Sequence, residues 1–153
     1  HYPLRRQRQM CIRDRLCLDE QLCFPIYAAS NLIVKAYRPF LTPLGLTYPQ
    51  YLVMLVLWEK DCVSVGDLGQ ILHLDSGTLT PLLKRMETSG LINRSRDPND
   101  ERRVLISLKD KGRDLSAEAE KIPKELTKNI EFANLNQLRD ELKALVNLLS
   151  ERI

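Results

Sequence analysis

Four cysteines are the side chains of this 153-residue chain best able to do covalent chemistry, at positions 11, 17, 23 and 62. An accessible thiolate can reduce a peroxide, bind a metal or exchange with a disulfide. Five residues separate Cys11 from Cys17, and five separate Cys17 from Cys23; this spacing fits no metal site, even with the two histidines. A disulfide scaffold is unexpected in an intracellular chain with a core of this size. From the residues alone, the commoner interpretation of a lone cysteine is a small inert hydrophobic residue, and thiol redox chemistry is the alternative.

A second set of side chains, between positions 76 and 103, could recognise nucleic acid. One polar helix face in this stretch carries hydroxyls near its start and cations further along: Ser76, Thr78, Thr80, Lys84 and Arg85. Hydroxyls at a helix start suit base edges, and the cations suit phosphates. Four arginines follow on a predicted hairpin: Arg94, Arg96, Arg102 and Arg103. Residues 84–103 hold six Lys or Arg against four Asp or Glu, so the basic charge is local. On charge alone an ordinary solvated surface is an equal alternative.

Two short helices and a hairpin, over residues 64–108, would position these side chains. Ser64 and Asp67 have the form of a capping box, and Asp75 with Ser76 gives a second helix start. Apolar residues recur at helical spacing, at Val65, Leu68, Ile71 and Leu72 in the first helix and at Leu79, Leu82, Leu83 and Met86 in the second. Gly90 can end the second helix in a left-handed conformation. Residues 91–95 and 103–108 are predicted strands joined by a turn at 97–100. The order predicts a winged helix, and hence a DNA-binding protein.

Further helices are predicted on both sides of the winged helix. Residues 19–35 have helical spacing, and Pro25 places Cys23 at a helix start or a kink, because proline lacks an N–H and collides with the preceding turn. Residues 47–57 predict a buried helix, and Pro39 and residues 43–45 predict the connection before it. After the hairpin we expect a polar helix to about residue 121, a new start at Pro123 and an amphipathic helix over residues 135–152.

The predicted fold is mostly α with a small β-hairpin: a winged helix-turn-helix with N- and C-terminal dimerisation helices. We expect one domain over residues 17–153, with dimerisation helices in 18–45 and 110–153 and a DNA-binding part in 47–108. A compact winged helix has little room in its own core for the terminal helices, so we expect them to pair with a second copy of the chain. Packing back on the same chain is the alternative. A two-fold dimer would present its recognition helices to half-sites about one DNA turn apart.

The formal net charge of +3 is misleading as support for nucleic-acid binding. The first 15 residues hold five Arg and one Asp, which leaves −1 for the remainder. Residues 1–16 start with His, lack regular periodicity and are interpreted as a disordered or non-native arm. No apolar run approaches the roughly 20 residues of a membrane span. We expect a soluble cytoplasmic protein with no membrane partner.

Four segments resemble a known family: QLCFPIY (21–27), LTYPQYLVMLVLWE (46–59), LDSGTLTPLLKRME (74–87) and DERRVLISL (100–108). They closely resemble the organic-hydroperoxide-responsive repressors, OhrR, of the MarR family, and the resemblance covers residues 17–152. It implies a homodimeric winged-helix repressor of a palindromic operator in double-stranded DNA. It also implies that Cys23 is the sensor.

The resemblance implies further site residues. The family's sensor tyrosines fall on Tyr37 and Tyr48, with Tyr27 close by, and DNA-reading positions fall on the helix at 76–85 and on Asp100 and Arg102, the arginine entering a minor groove. Phenol hydrogen bonds and a helix start would keep the thiolate of Cys23 ionised. An organic hydroperoxide would oxidise it to a sulfenic acid, and this change, or a bulkier mixed disulfide that follows, is expected to displace the dimer helices and release DNA. Some members have a second, resolving cysteine after the wing; here none follows Cys62, so the one-cysteine type is indicated, in which a low-molecular-weight thiol completes the oxidation.

Other interpretations stay open. Cys62, in the polar connection EKDCVS, is interpreted as inert. The chain could instead be a MarR-type repressor that responds to a phenolic or aromatic acid, with Cys23 a bystander, or a broader thiol-redox global regulator. A thiol peroxidase would need a resolving cysteine and an arginine beside Cys23, so we expect no enzyme. No cofactor or metal is expected.

Overall fold

The computed structural model describes residues 16–153, so the predicted arm, except for Leu16, and Cys11 lie outside the described residues. In chain order they form α1 (Cys23–Leu41), α2 (Tyr48–Glu59), β1 (Val63–Ser64), α3 (Val65–Leu72), α4 (Ser76–Thr88), β2 (Ile92–Asp97), β3 (Asp100–Leu108), α5 (Asp110–Asp114), α6 (Ser116–Ala119), α7 (Ile122–Thr127) and α8 (Leu135–Ser150). Single 3₁₀ turns flank α1, at Leu18–Glu20 and Thr42–Leu44.

The predicted helix pair is confirmed as α3 and α4. Ser64 caps α3 by accepting a hydrogen bond from Asp67 N (3.0 Å), although the reciprocal half of a capping box is not formed. In α3, Leu68 is buried whereas Ile71 is 54 % exposed, so the predicted apolar face of this helix is only partly covered. In α4 all four predicted apolar residues are buried. Gly90 follows α4 with φ +78°, as the sequence predicted.

The hairpin is confirmed, and it belongs to a three-stranded antiparallel sheet of order β1-β3-β2. The sequence analysis missed β1, because two residues are too few to show a period; Val63 pairs with Ile106 and Ser64 with Leu105. The register between β2 and β3 is regular from Ile92 as far as Arg96, where a shift begins.

The N-terminal helix differs from its prediction at both ends. It starts at Cys23 rather than Asp19, which agrees with a cysteine at a helix start. It continues through Pro39 to Leu41, so the prediction that Pro39 lies in a connection was wrong; lacking an N–H, Pro39 removes one backbone bond in the last turn without ending the helix. The predicted buried helix is α2, capped reciprocally by Thr47 and Gln50.

The buried core joins α2, α3 and α4 to the sheet. Its largest fully buried side chains are Leu41, Val53, Met54, Leu57, Leu68, Leu79, Leu83, Met86, Ile92 and Ile106. Burying each contributes about 1.5–3 kcal/mol to folding. The apolar face of α4 is therefore packed against the core.

The region after the hairpin is less regular than predicted. The polar helix is interrupted between α5 and α6, where Ser116 Oγ donates to the Arg113 carbonyl (2.9 Å) and competes with the backbone. The chain divides into two compact units after Ile122. The second, Pro123–Ile153, contains α8, capped by Asn134, whose side chain accepts from Gln137 N (3.0 Å).

Within the described residues no single helix is long and apolar enough to cross a membrane. The segments Cys23–Leu44 and Tyr48–Glu59 meet the length and composition criteria only jointly, and a bend of 69° separates them.

Candidate functional site

The start of α4 presents the predicted DNA-reading residues on its free face. Asp75 caps the helix by accepting from Thr78 N (2.7 Å). Of the five predicted positions on this helix, four are exposed and Thr80 is half-buried; the four are Ser76, Thr78, Lys84 and Arg85. Because the opposite face of α4 is packed in the core, these polar side chains point away from the body of the protein. The helix has the geometry of a recognition helix.

The wing carries the other predicted DNA-reading residues, and all three are exposed: Arg96, Asp100 and Arg102. Asp100 Oδ1 accepts from Arg102 N (3.1 Å), and Arg96 Nη1 donates to the Glu101 carbonyl (3.0 Å). Among the described residues the Arg102 side chain is in no ion pair. Arg102 is therefore the hairpin cation most available to a phosphate or a groove.

Two arginines that the sequence analysis grouped with the free cations are engaged in ion pairs. Arg94 donates from Nε to Glu87 Oε1 (3.3 Å) and from its backbone N to Glu87 Oε2 (3.1 Å), which ties β2 to the end of α4. Arg103 lies near the carboxylates of Asp67 and Asp97. Their partners lie on other elements of the fold, so periodicity within one element carried no signal for these contacts.

An open groove of about 740 Å³ separates the hairpin from α3 and α4. Ser76 and Thr80 line it on the recognition helix, and Arg102 and Arg103 line it on the wing. Three of the predicted DNA-reading residues, Ser76 and Thr80 of α4 and Arg102 of the wing, thus border one groove.

Cys23 is the first residue of α1, and its side chain is exposed. Pro25 is the third residue, inside the first turn, where backbone N–H groups have no partner within the helix and a missing one costs little. The remaining first-turn N–H groups favour an anion at this end of the helix. Cys17 is half-buried, Cys62 is exposed with φ +66°, and all three described cysteines are free thiols.

The predicted sensor tyrosines fall into two settings. Tyr37 and Tyr48 are half-buried neighbours with ring centroids 5.0 Å apart. The buried Tyr51, which the resemblance did not include, lies 5.6 Å from Tyr37 and 6.4 Å from Trp58. Tyr27, by contrast, is 67 % exposed. For Tyr51, the only indication in the sequence was an aromatic residue within a predicted buried helix.

Burial makes the clustered phenols harder to ionise than a free tyrosine. It raises the pKa of Tyr37, which the neighbouring Tyr51 and Tyr48 phenols raise further. Burial also raises the pKa of Tyr48, and burial followed by the proximity of Tyr48 raises the pKa of Tyr51. At neutral pH these side chains are hydrogen-bond donors.

A single chain does not bring Cys23 and these phenols together. Tyr37 lies fourteen residues beyond Cys23 on the same helix, which corresponds to about 21 Å along the axis at 1.5 Å per residue. The sequence resemblance groups Cys23, Tyr37 and Tyr48 as one site but does not indicate which chain supplies each residue.

Comparisons with known proteins bear on both parts of the site. Residues 35–119 match a family model described as transcriptional regulator SarA/Rot. The chain is 45% identical over 141 residues to the organic hydroperoxide resistance transcriptional regulator of Bacillus subtilis, covering 91% of this chain and 96% of that protein. It is 49% identical over 140 residues to the regulator TtmR of Methylorubrum extorquens, covering 86% and 72% respectively.

Solved structures agree with this relationship. Overoxidised AbfR bound to DNA, a protein of Staphylococcus epidermidis, superposes with a TM-score of 0.74 at 35% identity, covering 97% of this chain and 99% of that one. A mutant MarR from E. coli complexed with operator DNA gives 0.71 at 27% identity, covering 81% and 92%. The chain belongs to the MarR/SarA-type family of winged-helix transcriptional regulators.

Proposed function

We propose that this protein is a homodimeric, DNA-binding transcriptional repressor that senses organic hydroperoxides by oxidation of Cys23 and then releases its operator. The observation that carries the sensing step is the exposed thiol of Cys23 at the first residue of α1. The similarity to the B. subtilis regulator supports the choice of oxidant. As a regulator of DNA it would act in the cytoplasm.

Dimerisation is supported by apolar side chains that one chain leaves exposed. On and just before α1 they include Leu22, Phe24, Ile26, Leu32 and Ile33. On α8, in the second unit, they include Leu135, Leu142, Val146, Leu148 and Leu149. Contiguous apolar surface on a water-facing helix is typical of a protein interface. Each set gives one helix of the proposed homodimer a face to bury.

The separation of Cys23 from Tyr37 and Tyr48 supports a sensor shared between two copies. If two α1 helices pack antiparallel, the first turn of one lies beside the later turns of the other. Cys23 of one copy then meets the tyrosine cluster of the second copy, with the more exposed Tyr27 at the same interface. Protonated phenols donate to the thiolate and stabilise its charged form.

The oxidation begins with attack of the Cys23 thiolate on the terminal oxygen of the hydroperoxide. A sulfur–oxygen bond forms, the oxygen–oxygen bond breaks, and the organic fragment leaves as the alcohol after taking a proton. A low-molecular-weight thiol then attacks the sulfenic sulfur, water leaves, and a mixed disulfide remains.

We assign release of DNA to this mixed disulfide rather than to added oxygen alone. Overoxidised AbfR was crystallised on DNA, so in that protein added oxygen is compatible with the DNA-bound state. A thiol adduct is much bulkier, and it removes the charge that the phenols bind. The resulting change at the dimer interface would move the two recognition helices off their spacing.

In the reduced dimer, the start of α4 would read base edges in the major groove through Ser76, Thr78 and Thr80. Lys84 and Arg85 would neutralise phosphates. In the wing, Arg102 would enter the minor groove, with Arg96 and Asp100 beside it. The shared surface of α4 and the wing supports this division of roles.

The decisive experiment measures binding to a panel of palindromic DNA duplexes by fluorescence anisotropy. Reduced protein should bind tightly, and cumene hydroperoxide with a small thiol should release it. Cys23→Ser should bind equally well but stay bound, while Cys62→Ser, which removes another exposed thiol, should respond like the wild type. Release of the Cys23→Ser protein by the same treatment would contradict the proposal.

A second candidate function is a response to a phenolic or aromatic acid. The groove between the wing, α3 and α4 favours it, because it is large enough for such a molecule and arginines line it. Salicylate should then release DNA from Cys23→Ser protein as readily as from wild type. Retention of DNA at saturating salicylate would exclude this candidate.

A further inference from the structure

The tip of the wing contains a stretch that strand pairing does not hold. Arg96 pairs with Val104, but the next residue, Asp97, pairs with Asp100. The register therefore jumps by three, and in the described strands residues 101–103 have no partner opposite them on β2. Such an irregularity frees the local backbone from the hydrogen-bonded ladder. Arg102 lies at its centre.

Side chains must therefore fix this stretch. Two contacts act within the hairpin itself: Arg102 N donates to Asp100 Oδ1 (3.1 Å), and Arg96 Nη1 donates to the Glu101 carbonyl (3.0 Å). Neither connects the tip to the helices that carry the recognition surface.

Arg103 makes that connection. Its Nη2 lies 3.5 Å from Asp67 Oδ2 on α3, and its Nη1 lies 3.7 Å from Asp97 Oδ2 on β2. One guanidinium thus bridges the helix-turn-helix and the neighbouring strand. The Arg103 side chain is half-exposed, so these ion pairs add little to the stability of the fold. A planar guanidinium between two carboxylates nevertheless fixes the orientation of the backbone that carries it.

We propose that Arg103 is a positioning residue for DNA recognition: by bridging Asp67 and Asp97 it holds the unpaired stretch so that its neighbour Arg102 is aimed at the minor groove. This rests on the proposed function, in which Arg102 makes the wing contact. Arg103 itself binds the protein rather than DNA.

A double-mutant cycle on reduced protein tests this, with the affinity ratio for A·T-rich over G·C-rich flanks as the readout. Arg103→Ala should lower affinity for the A·T-rich operator by about threefold to tenfold, because the two ion pairs that orient the wing are lost. In an Arg102→Ala background the same change should have no further effect on the ratio. Lys109→Ala, which removes an exposed cation just beyond β3, should leave the ratio unchanged.

Asp67→Asn gives a second test, because a positioning role and a simple charge effect predict opposite changes in the affinity ratio. Asp67 is exposed, so this substitution should leave folding intact. Neutralising an acidic side chain near phosphates strengthens DNA binding if only charge matters. The proposal predicts the reverse for A·T-rich flanks: the ratio should fall, as in Arg103→Ala, while binding to random DNA stays equal or rises.

The possible outcomes distinguish a direct DNA contact by Arg103 from a positioning role. Additive effects of Arg102→Ala and Arg103→Ala, with a salt slope lowered by about 1 for each, would identify Arg103 as a direct phosphate contact and overturn the positioning role. A stronger A·T preference in Asp67→Asn would overturn it too. If Arg102→Ala leaves the ratio unchanged, the proposed wing contact fails and the positioning role falls with it, whereas peroxide sensing at Cys23 is unaffected.

Discussion

The DNA-facing region and the sensor region of this protein are built in different ways. A single chain places the start of α4 and the wing around one groove, and ion pairs tie the hairpin to the end of α4 and to α3. It separates Cys23 from Tyr37 by about 21 Å along α1 and leaves the apolar face of that helix exposed. The predicted DNA-reading residues are thus all supplied by one copy, whereas the proposed sensor would draw on two. On that proposal, oxidation would change the spacing of the two DNA-facing regions without altering either one.

The largest expected effect comes from breaking the base of the wing with Gly112→Ala. A Cβ on Gly112 would collide with the carbonyl oxygen of Leu91, just before β2, and press on Met54. The same turn is held by Trp58 Nε1, which donates to the Gly112 carbonyl (2.9 Å). We expect a loss of about 3 kcal/mol in the free energy of unfolding, measured by urea denaturation.

Gly66→Ala in α3 is the matched control. The new Cβ would meet open space and one ordinary contact, so the free energy of unfolding should rise by roughly 0.5–1 kcal/mol. Equal stabilities for the two variants would contradict the packing at Gly112.

The next effect distinguishes the proposed wing contact of Arg102 from the proposed phosphate contact of Lys84. Arg102→Ala should weaken operator binding by about 1–3 kcal/mol and relax the preference for A·T-rich flanks. Lys84→Ala should weaken binding to all sequences alike and reduce the salt slope by about 1. Anisotropy titrations at several salt concentrations measure both. The same loss on every sequence for both variants would show that the wing and helix do not divide the task.

A smaller effect tests whether Tyr37 and Tyr48 assist the oxidation of Cys23. With Tyr37→Phe and Tyr48→Phe together, Cys23 should be oxidised roughly tenfold more slowly, as expected on losing a hydrogen bond to a charged group. Mass spectrometry of peroxide-treated protein gives the rate, and DNA affinity of the reduced protein should not change. Tyr51→Phe, deeper in the same cluster, is the matched control.

Mixed dimers show which chain supplies the phenols. When copies carrying both tyrosine changes are mixed with Cys23→Ser copies, the remaining Cys23 faces wild-type tyrosines of the other copy. Its oxidation should return to the wild-type rate. A rate that stays slow in the mixed dimer would mean that the phenols act within their own chain.

The same contrast explains what the sequence could predict. In α4 the apolar residues, the Asp75 cap and the left-handed Gly90 were all predicted, because each depends on neighbours within a few residues. The ion pairs of Arg94 and Arg103 were missed because their partners come from other elements. For the sensor, Pro25 correctly placed Cys23 at a helix start, but a proline signal at Pro39 failed where tertiary packing carried the helix onward. That the phenols lie far from the thiol in one chain follows only from the length of α1.

The smallest effect concerns Asp61, in the connection between α2 and β1, which holds this connection to the end of β3 and to Arg113. Its Oδ1 accepts from Leu108 N (2.9 Å) at the end of β3 and from Cys62 N (2.9 Å), and its Oδ2 lies 3.3 Å from Arg113 Nη2. Partial burial acts to raise the pKa of Asp61, but the hydrogen bonds from Leu108, Arg113 and Cys62 outweigh it, so the pKa is lowered from its usual 3.8. The stabilisation by Asp61 is therefore full above that value and is lost as the pH falls through the lower folded-state value. Because the group is partly exposed, we expect only about 0.5 kcal/mol. Urea unfolding should find wild type more stable than Asp61→Asn at pH 6, with the difference vanishing in acid. A difference that stays constant down to pH 2 would show that Asp61 acts through packing rather than through its charge.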